Sequence, residues 1–242
     1  MIPRARVIAT LAVVFTLVSI PAGAWVAGLW EEAHPAQTPP VMAEPLLVAD
    51  TNRGVLYAFD GRSVVTNPSI PPTVPSPAVW EWNGADWTQK SAPGSCCWRH
   101  QGSSAVYFPP SDSILVYGDF PGWHDGALYY RLLDHAWVSA GPFPGHARGF
   151  QAMAYDSDRH VVVLFGGAFI GYLYQGAPPS SIYNDTWEFN GSAWIERHPA
   201  QGPSPRYGHQ MAYDAARHRT ILFGGRNNSG EFRDTWSYDG TT

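Results

Sequence analysis

Lysine is almost missing from this chain. Lys90 stands alone, and 15 Lys+Arg against 20 Asp+Glu leave a net charge of −5. No basic stripe exists to track a phosphate backbone, which excludes nucleic acid as a partner. Charged residues are scarce as a class, at 14% against the usual ~25%. Cysteine is nearly absent too: Cys96 and Cys97 are adjacent and cannot join distant parts of the chain. Their Cα atoms lie ~3.8 Å apart, below the ordinary disulfide span, so the core must hold by packing. No His-x-His or His-x-x-x-His pair offers a zinc site, and His100, His146 and His209 fall singly near strand starts. A Gly-x-Ser-x-Gly elbow and a phosphate-binding loop are likewise missing. What the chain has in plenty is 24 Gly, 22 Pro and 34 aromatics (11 Trp, 12 Tyr, 11 Phe). That aromatic load excludes disorder for most of the length.

Only one long apolar run occurs. Arg4 and Arg6 precede an uncharged stretch from Val7 to Ile20, followed by Pro21 and Ala22-Gly23-Ala24, the small-x-small pattern of a signal-peptidase site. Residues 1–24 therefore read as a signal peptide, with the mature chain starting near Trp25. The rival reading is an uncleaved anchor, because the uncharged stretch continues to Trp30, long enough to span a bilayer. Both place the remainder outside the cytoplasm, secreted or on the cell surface, with a membrane contact only if the segment is uncleaved. A Cys96–Cys97 disulfide is permitted there.

The rest of the chain repeats. Arg206-Tyr-Gly-His-Gln-Met-Ala-Tyr-Asp214 overlays Arg148-Gly-Phe-Gln-Ala-Met-Ala-Tyr-Asp156, and the match continues through Leu222-Phe-Gly-Gly225 over Leu164-Phe-Gly-Gly167 and Asp234-Thr-Trp236 over Asp185-Thr-Trp187. Weaker copies run through Ile114–Gly118 and through Asp50, Arg53 and Gly61. Trp30-Glu-Glu-Ala-His-Pro-Ala-Gln-Thr-Pro39 also overlays Trp194-Ile-Glu-Arg-His-Pro-Ala-Gln-Gly-Pro203 at a constant offset that persists to Gly61 and Gly225. Marker tryptophans at 30, 87, 137 and 194 give a period of about 50 residues, which belongs to propellers and arrays.

Each copy resolves into four strands: the Met-Ala-Tyr-Asp segment, an apolar run ending in Gly-Gly after an Asp-x-x-Arg turn, and a hairpin. Repeat bounds fall at about 46–90, 99–140, 148–197 and 206–242. Taking Asn83-Gly84, Leu133-Asp134 and Asn190-Gly191 as two-residue hairpin tips predicts Trp80 opposite Trp87, Tyr130 opposite Trp137 and Trp187 opposite Trp194. Such aromatic pairs are each worth roughly 0.5–1.5 kcal/mol beyond burial.

The order apolar run, Gly-Gly, spacer, aromatic, then Trp resembles the Kelch repeat, from Trp30 onward. The resemblance is specific in the third and fourth copies and looser in the first two, where Asp60-Gly61 and Gly118-Asp119 replace the double glycine. It implies an all-β, Kelch-type β-propeller of four-stranded antiparallel blades, like the central domain of galactose oxidase, with about four blades present. The family usually has six or seven blades, so the chain reads either as a four-blade ring or as part of a longer propeller. In the ring reading, residues 30–33 supply an N-terminal closing strand, with Trp30 facing Trp236. Nothing here can be assigned to the copper set of galactose oxidase, which needs a Tyr–Cys crosslink, a second Tyr and two His, and the Ser-x-Asp-x-Gly-x-x-Trp box of sialidase propellers is absent. No cofactor, metal ligand or catalytic residue is assigned.

In an antiparallel blade the first and third turns share one face, and the remaining connections share the other, where the long loops fall. Recognition belongs on such loops. The candidate binding residues there are Trp98, Trp123, His124, Tyr172, Tyr174 and Arg226, joined by Arg99, Arg148 and Arg206 at the starts of the innermost strands. These arginines either ring the channel mouth as an anion trap or form inter-blade salt bridges. The expected function is a non-catalytic interaction module binding protein or glycan through the long-loop face. The alternative is an extracytoplasmic carbohydrate-active enzyme of the sugar oxidase or epimerase type. A cluster of titratable groups at the channel would distinguish the two.

Overall fold

The computed structural model describes residues 32–39, 45–59, 78–90, 102–118, 126–143, 145–169 and 179–241. Beyond one 3-10 turn at Pro109–Ser111, the regular structure among them is all strand. Four antiparallel sheets form a four-blade β-propeller. Blade 1 holds β1 (Leu46–Asp50), β2 (Val55–Phe59), β3 (Trp80–Trp82) and β4 (Trp87–Gln89). Blade 2 holds β5 (Ser104–Phe108), β6 (Ser113–Tyr117), β7 (Gly126–Arg131) and β8 (Ala136–Pro142). Blade 3 holds β9 (Ala152–Asp156), β10 (Val161–Phe169), β11 (Ser181–Phe189) and β12 (Trp194–Arg197). Blade 4 pairs β13 (Gln210–Asp214), β14 (Arg219–Phe223) and β17 (Thr235–Tyr238), and a small hairpin, β15 (Arg226–Asn227) with β16 (Gly230–Glu231), fills the connection before β17.

The first strands pack in series, β1 on β5, β5 on β9 and β9 on β13, and among the described residues β13 and β1 make no comparable contact. The core lies between blades. Val48, Tyr57 and Val79 of blade 1 meet Tyr107, Ile114 and Tyr130 of blade 2. Phe108, Leu115 and Tyr117 of blade 2 meet Met153, Leu164, Trp187 and Trp194 of blade 3.

The Asp-x-x-Arg turns behave alike in blades 1, 3 and 4. One oxygen of Asp50, Asp156 or Asp214 accepts backbone N–H groups two and three residues ahead, and the other pairs with Arg53, Arg159 or Arg217. The side chain thus replaces backbone partners in the turn. The same turns stitch neighbouring blades. Asn52 Nδ2 donates to Tyr107 OH, and Arg53 reaches Asp112. Two blades on, Tyr213 OH donates to Asp158 at 2.7 Å, and His218 Nδ1 meets the same carboxylate.

Two of the three expected hairpin pairs are corrected. Tyr130 faces Trp137 as expected, with ring centroids 5.0 Å apart. Trp82, not Trp80, faces Trp87, and Phe189, not Trp187, faces Trp194. The Asn opens the turn instead of forming its tip. Asn83 Oδ1 accepts the N–H groups of Ala85 and Asp86, and Asn190 Oδ1 those of Ser192 and Ala193. Both registers slip by two residues, so every side chain keeps its face.

Of the closing strand expected at 30–33, residues 30 and 31 lie outside the described residues. Residues 32 and 33 carry no strand, and β17 has β14 as its strand partner. The next described residues turn toward blade 1, where the Gln37 amide donates to Asp86 Oδ1 at 2.9 Å.

Candidate functional site

The Arg148 and Arg206 side chains form their salt bridges within a blade and not between blades. Each is fully buried and clamps its own blade. Arg148 Nη1 donates to the Gly166 carbonyl at 3.0 Å and to Asp185 Oδ1, Nη2 donates to Asp185 Oδ2 at 2.7 Å, and Nε donates to the His146 carbonyl. Arg206 repeats this set with Gly224, Asp234 and the Ser204 carbonyl. Trp187 Nε1 donates to Asp185, and Trp236 Nε1 to Asp234. An aromatic ring caps each guanidinium, Tyr183 at 4.3 Å and Phe232 at 4.1 Å.

The double glycine follows from this clamp. Gly166 and Gly167 take φ of +60° and +97°, and Gly224 and Gly225 take +73° and +86°. Two successive left-handed residues turn the first carbonyl onto the arginine and break the β10–β11 register between Phe165 and Gly167. A Cβ on Gly167 would stand 2.9 Å from Gln151 Cβ. Burial works against ionisation of Asp185, yet the Arg148 hydrogen bonds and charge hold its carboxyl below the usual range. The Arg206 hydrogen bonds hold Asp234 lower still.

His209 occupies the place in blade 4 that Gln151 holds in blade 3. Gln151 Nε2 reaches back one blade to the Tyr117 carbonyl at 2.7 Å. The buried His209 ring sits edge-on to Phe165, centroids 5.5 Å apart. Burial, helped by the Arg206 charge, pushes its pKa down to about 4, so the ring is neutral at pH 7.

Around the axis, on the face of the long connections, a backbone ladder links three blades. The Phe150 amide donates to the Gly102 carbonyl, and the Gly208 amide donates to the Phe150 carbonyl at 2.8 Å. All three residues are left-handed, with φ of +77°, +58° and +69° in chain order. Glycine tolerates that conformation, but a bulky aromatic in it is a true outlier that stores local strain. The Phe150 ring lies 6.2 Å from that of Tyr207. The exposed Arg226, on β15, places its guanidinium 6.0 Å from the Tyr207 ring, and the two backbones form an isolated bridge.

Of the expected binding residues, Arg226 joins this cluster, whereas Arg148 and Arg206 are structural. Trp98, Arg99, Trp123, His124, Tyr172 and Tyr174 lie outside the described residues. Phe150 and Tyr207 escaped the sequence reading. Their one signal was the exchanged order of Gly149-Phe150 and Tyr207-Gly208 in the overlay, which puts an aromatic where the corner wants glycine. Among the described residues, no three His, Cys, Asp or Glu side chains gather as metal ligands would. No protein-family model matches the chain, and no curated protein matches it.

Proposed function

We propose that this protein is a non-catalytic interaction module that binds protein or glycan through the face of its long connections, centred on Phe150, Tyr207 and Arg226. The observation that carries this reading is the strained Phe150, set between glycines in a ladder that would be relaxed with a third glycine. Strain of this kind costs of order 1–3 kcal/mol and clusters at binding and switch sites. Two aromatic rings beside an exposed guanidinium offer stacking surface and directional donors, the combination that suits sugars and protein hot spots. The clamps support the same reading, because the buried arginines and their carboxylates are consumed in holding blades 3 and 4.

The repeat pattern and the propeller support membership of the Kelch group, and the N-terminal apolar run supports an extracytoplasmic location. Phe150→Gly and Arg226→Ala variants, tested on a panel of immobilised polysaccharides and purified surface proteins, decide the matter. Binding present in the parent and lost in both variants, with the fold retained, supports the proposal. Binding unaltered by either change places recognition elsewhere.

A further inference from the structure

We propose, building on the binding reading above, that the face of the long connections takes an acidic polysaccharide. One uronic acid unit lays its ring on Tyr207 and its carboxylate on Arg226, and Arg233 supplies a second cation from the same segment.

Cations are few in this chain, and the fold uses most of them internally. Among the described residues, every lysine and arginine but two is ion-paired with a carboxylate. The two exceptions are Arg226 and Arg233, and both are exposed. They fall in one short excursion, the hairpin of β15 and β16 with the residues that lead into β17. On either side of Arg233, Phe232 and Asp234 turn onto the buried Arg206 guanidinium. Arg233 itself is left to solvent.

Blade 3 shows that the framework needs none of these side chains. The backbone bridge between Tyr207 and Arg226 recurs there between Gly149 and Ala168. Its paired N–H···O bonds are 2.9 Å long in blade 3 and 3.0 Å in blade 4. The residue before the clamp carboxylate, Arg233 in blade 4, is Asn184 in blade 3. The bridge therefore forms equally well without a ring or a charge, and the tyrosine and two arginines are additions to the template.

What they add is chemistry for a sugar acid. A partly exposed aromatic ring offers a flat apolar surface to the C–H face of a pyranose, and a guanidinium binds a carboxylate through two parallel N–H···O bonds. The Arg226 guanidinium stands 6.0 Å from the Tyr207 ring centroid, so a stacked sugar and the carboxylate it carries meet both groups at once. Phe150, 6.2 Å beyond Tyr207, extends the apolar surface toward the next unit of a polymer. An acidic peptide brings the carboxylate without the flat face. The whole chain carries a net charge of −5, so a polyanion is repelled everywhere except at a local site such as this. Glu231 is the only carboxylate of the hairpin; it stands opposite Arg226 in the ladder and opposes a bound anion.

Affinity electrophoresis through polygalacturonate, alginate and hyaluronan, each beside the same polymer methyl-esterified at its carboxyls, tests the assignment. At least one acid should retard the parent chain, and none of the esters should. Arg226→Gln should weaken that binding about tenfold or more, whereas Glu231→Gln should strengthen it. Both positions are exposed, and an unchanged circular dichroism spectrum verifies the fold of each variant. Equal binding of acid and ester, lost in Phe150→Gly, overturns the acidic ligand and leaves glycan binding itself standing. Binding of poly-glutamate as tight as that of the sugar acids overturns it in favour of an acidic protein. Retardation by none of the three acids, or retardation that survives Arg226→Gln, also overturns it.

Discussion

Phe143 and Gln201 occupy the same place in successive junctions, five residues before the arginine clamp, and only Phe143 is buried, at 2% exposure. The phenylalanine fills its junction, whereas the glutamine leaves the cavity between blades 3 and 4. Gln201→Phe should therefore stabilise the protein by ~0.5–2 kcal/mol, the usual return of filling a void. Phe143→Ala should cost ~3–5 kcal/mol. Urea denaturation of the two variants measures both.

Trp187 is buried and bonded to Asp185, while its counterpart Trp236 is half-buried over the cavity. Trp187→Ala should cost ~3–5 kcal/mol, and Trp236→Ala clearly less. Equal losses in denaturation midpoints would contradict the difference in packing between the two junctions.

Removing a carboxylate from a clamp leaves a buried arginine without its counter-charge. Asp185→Ala should cost ~3–5 kcal/mol on that account. Asp234→Ala should cost less, because the Asp234 side chain is 40% exposed against 19% for Asp185 and water can replace it. Thermal unfolding of both variants at neutral pH checks the ranking.

His209 should make the fold sensitive to mild acid. Its pKa is about 4 in the folded chain, against an ordinary 6.5, so the unfolded chain binds the proton first as pH falls. Stability should drop between pH 6.5 and 4, by roughly 3 kcal/mol in full, before the depressed Asp185 and Asp234 carboxyls are titrated. His209→Gln, which copies Gln151, should flatten this window. Unchanged pH dependence in that variant would mean that the ring is not the group responsible.

Much of the architecture was legible because it rests on repetition. The Met-Ala-Tyr-Asp segments, the apolar runs and the Asp-x-x-Arg turns all form where the overlay puts them. Hairpin register was misread because Asn-Gly suits both the tip of a two-residue turn and the entry of a longer one, and only the Asn83 and Asn190 side-chain bonds distinguish them. The arginines were recognised as important but given the wrong neighbours, since nothing local reveals that Asp185 returns to Arg148 across β10. Phe150 and Tyr207 depend on which residue falls at a left-handed corner, a property of the ladder and not of either residue's type.

Blade 3 contains its entire clamp, Arg148 with Asp185 and Gly166, and both residue types of its joint with blade 4, Asp158 in its first turn and, where blade 4 has Tyr213, Tyr155 on its first strand. The stretch from Arg148 to Pro205 is therefore a cassette whose first strand carries the residue type that its own first turn binds in the next blade. Duplicating it in the gene would insert a blade that is correctly mated on both sides without altering any neighbour. Blade number in such a protein is set by copy count.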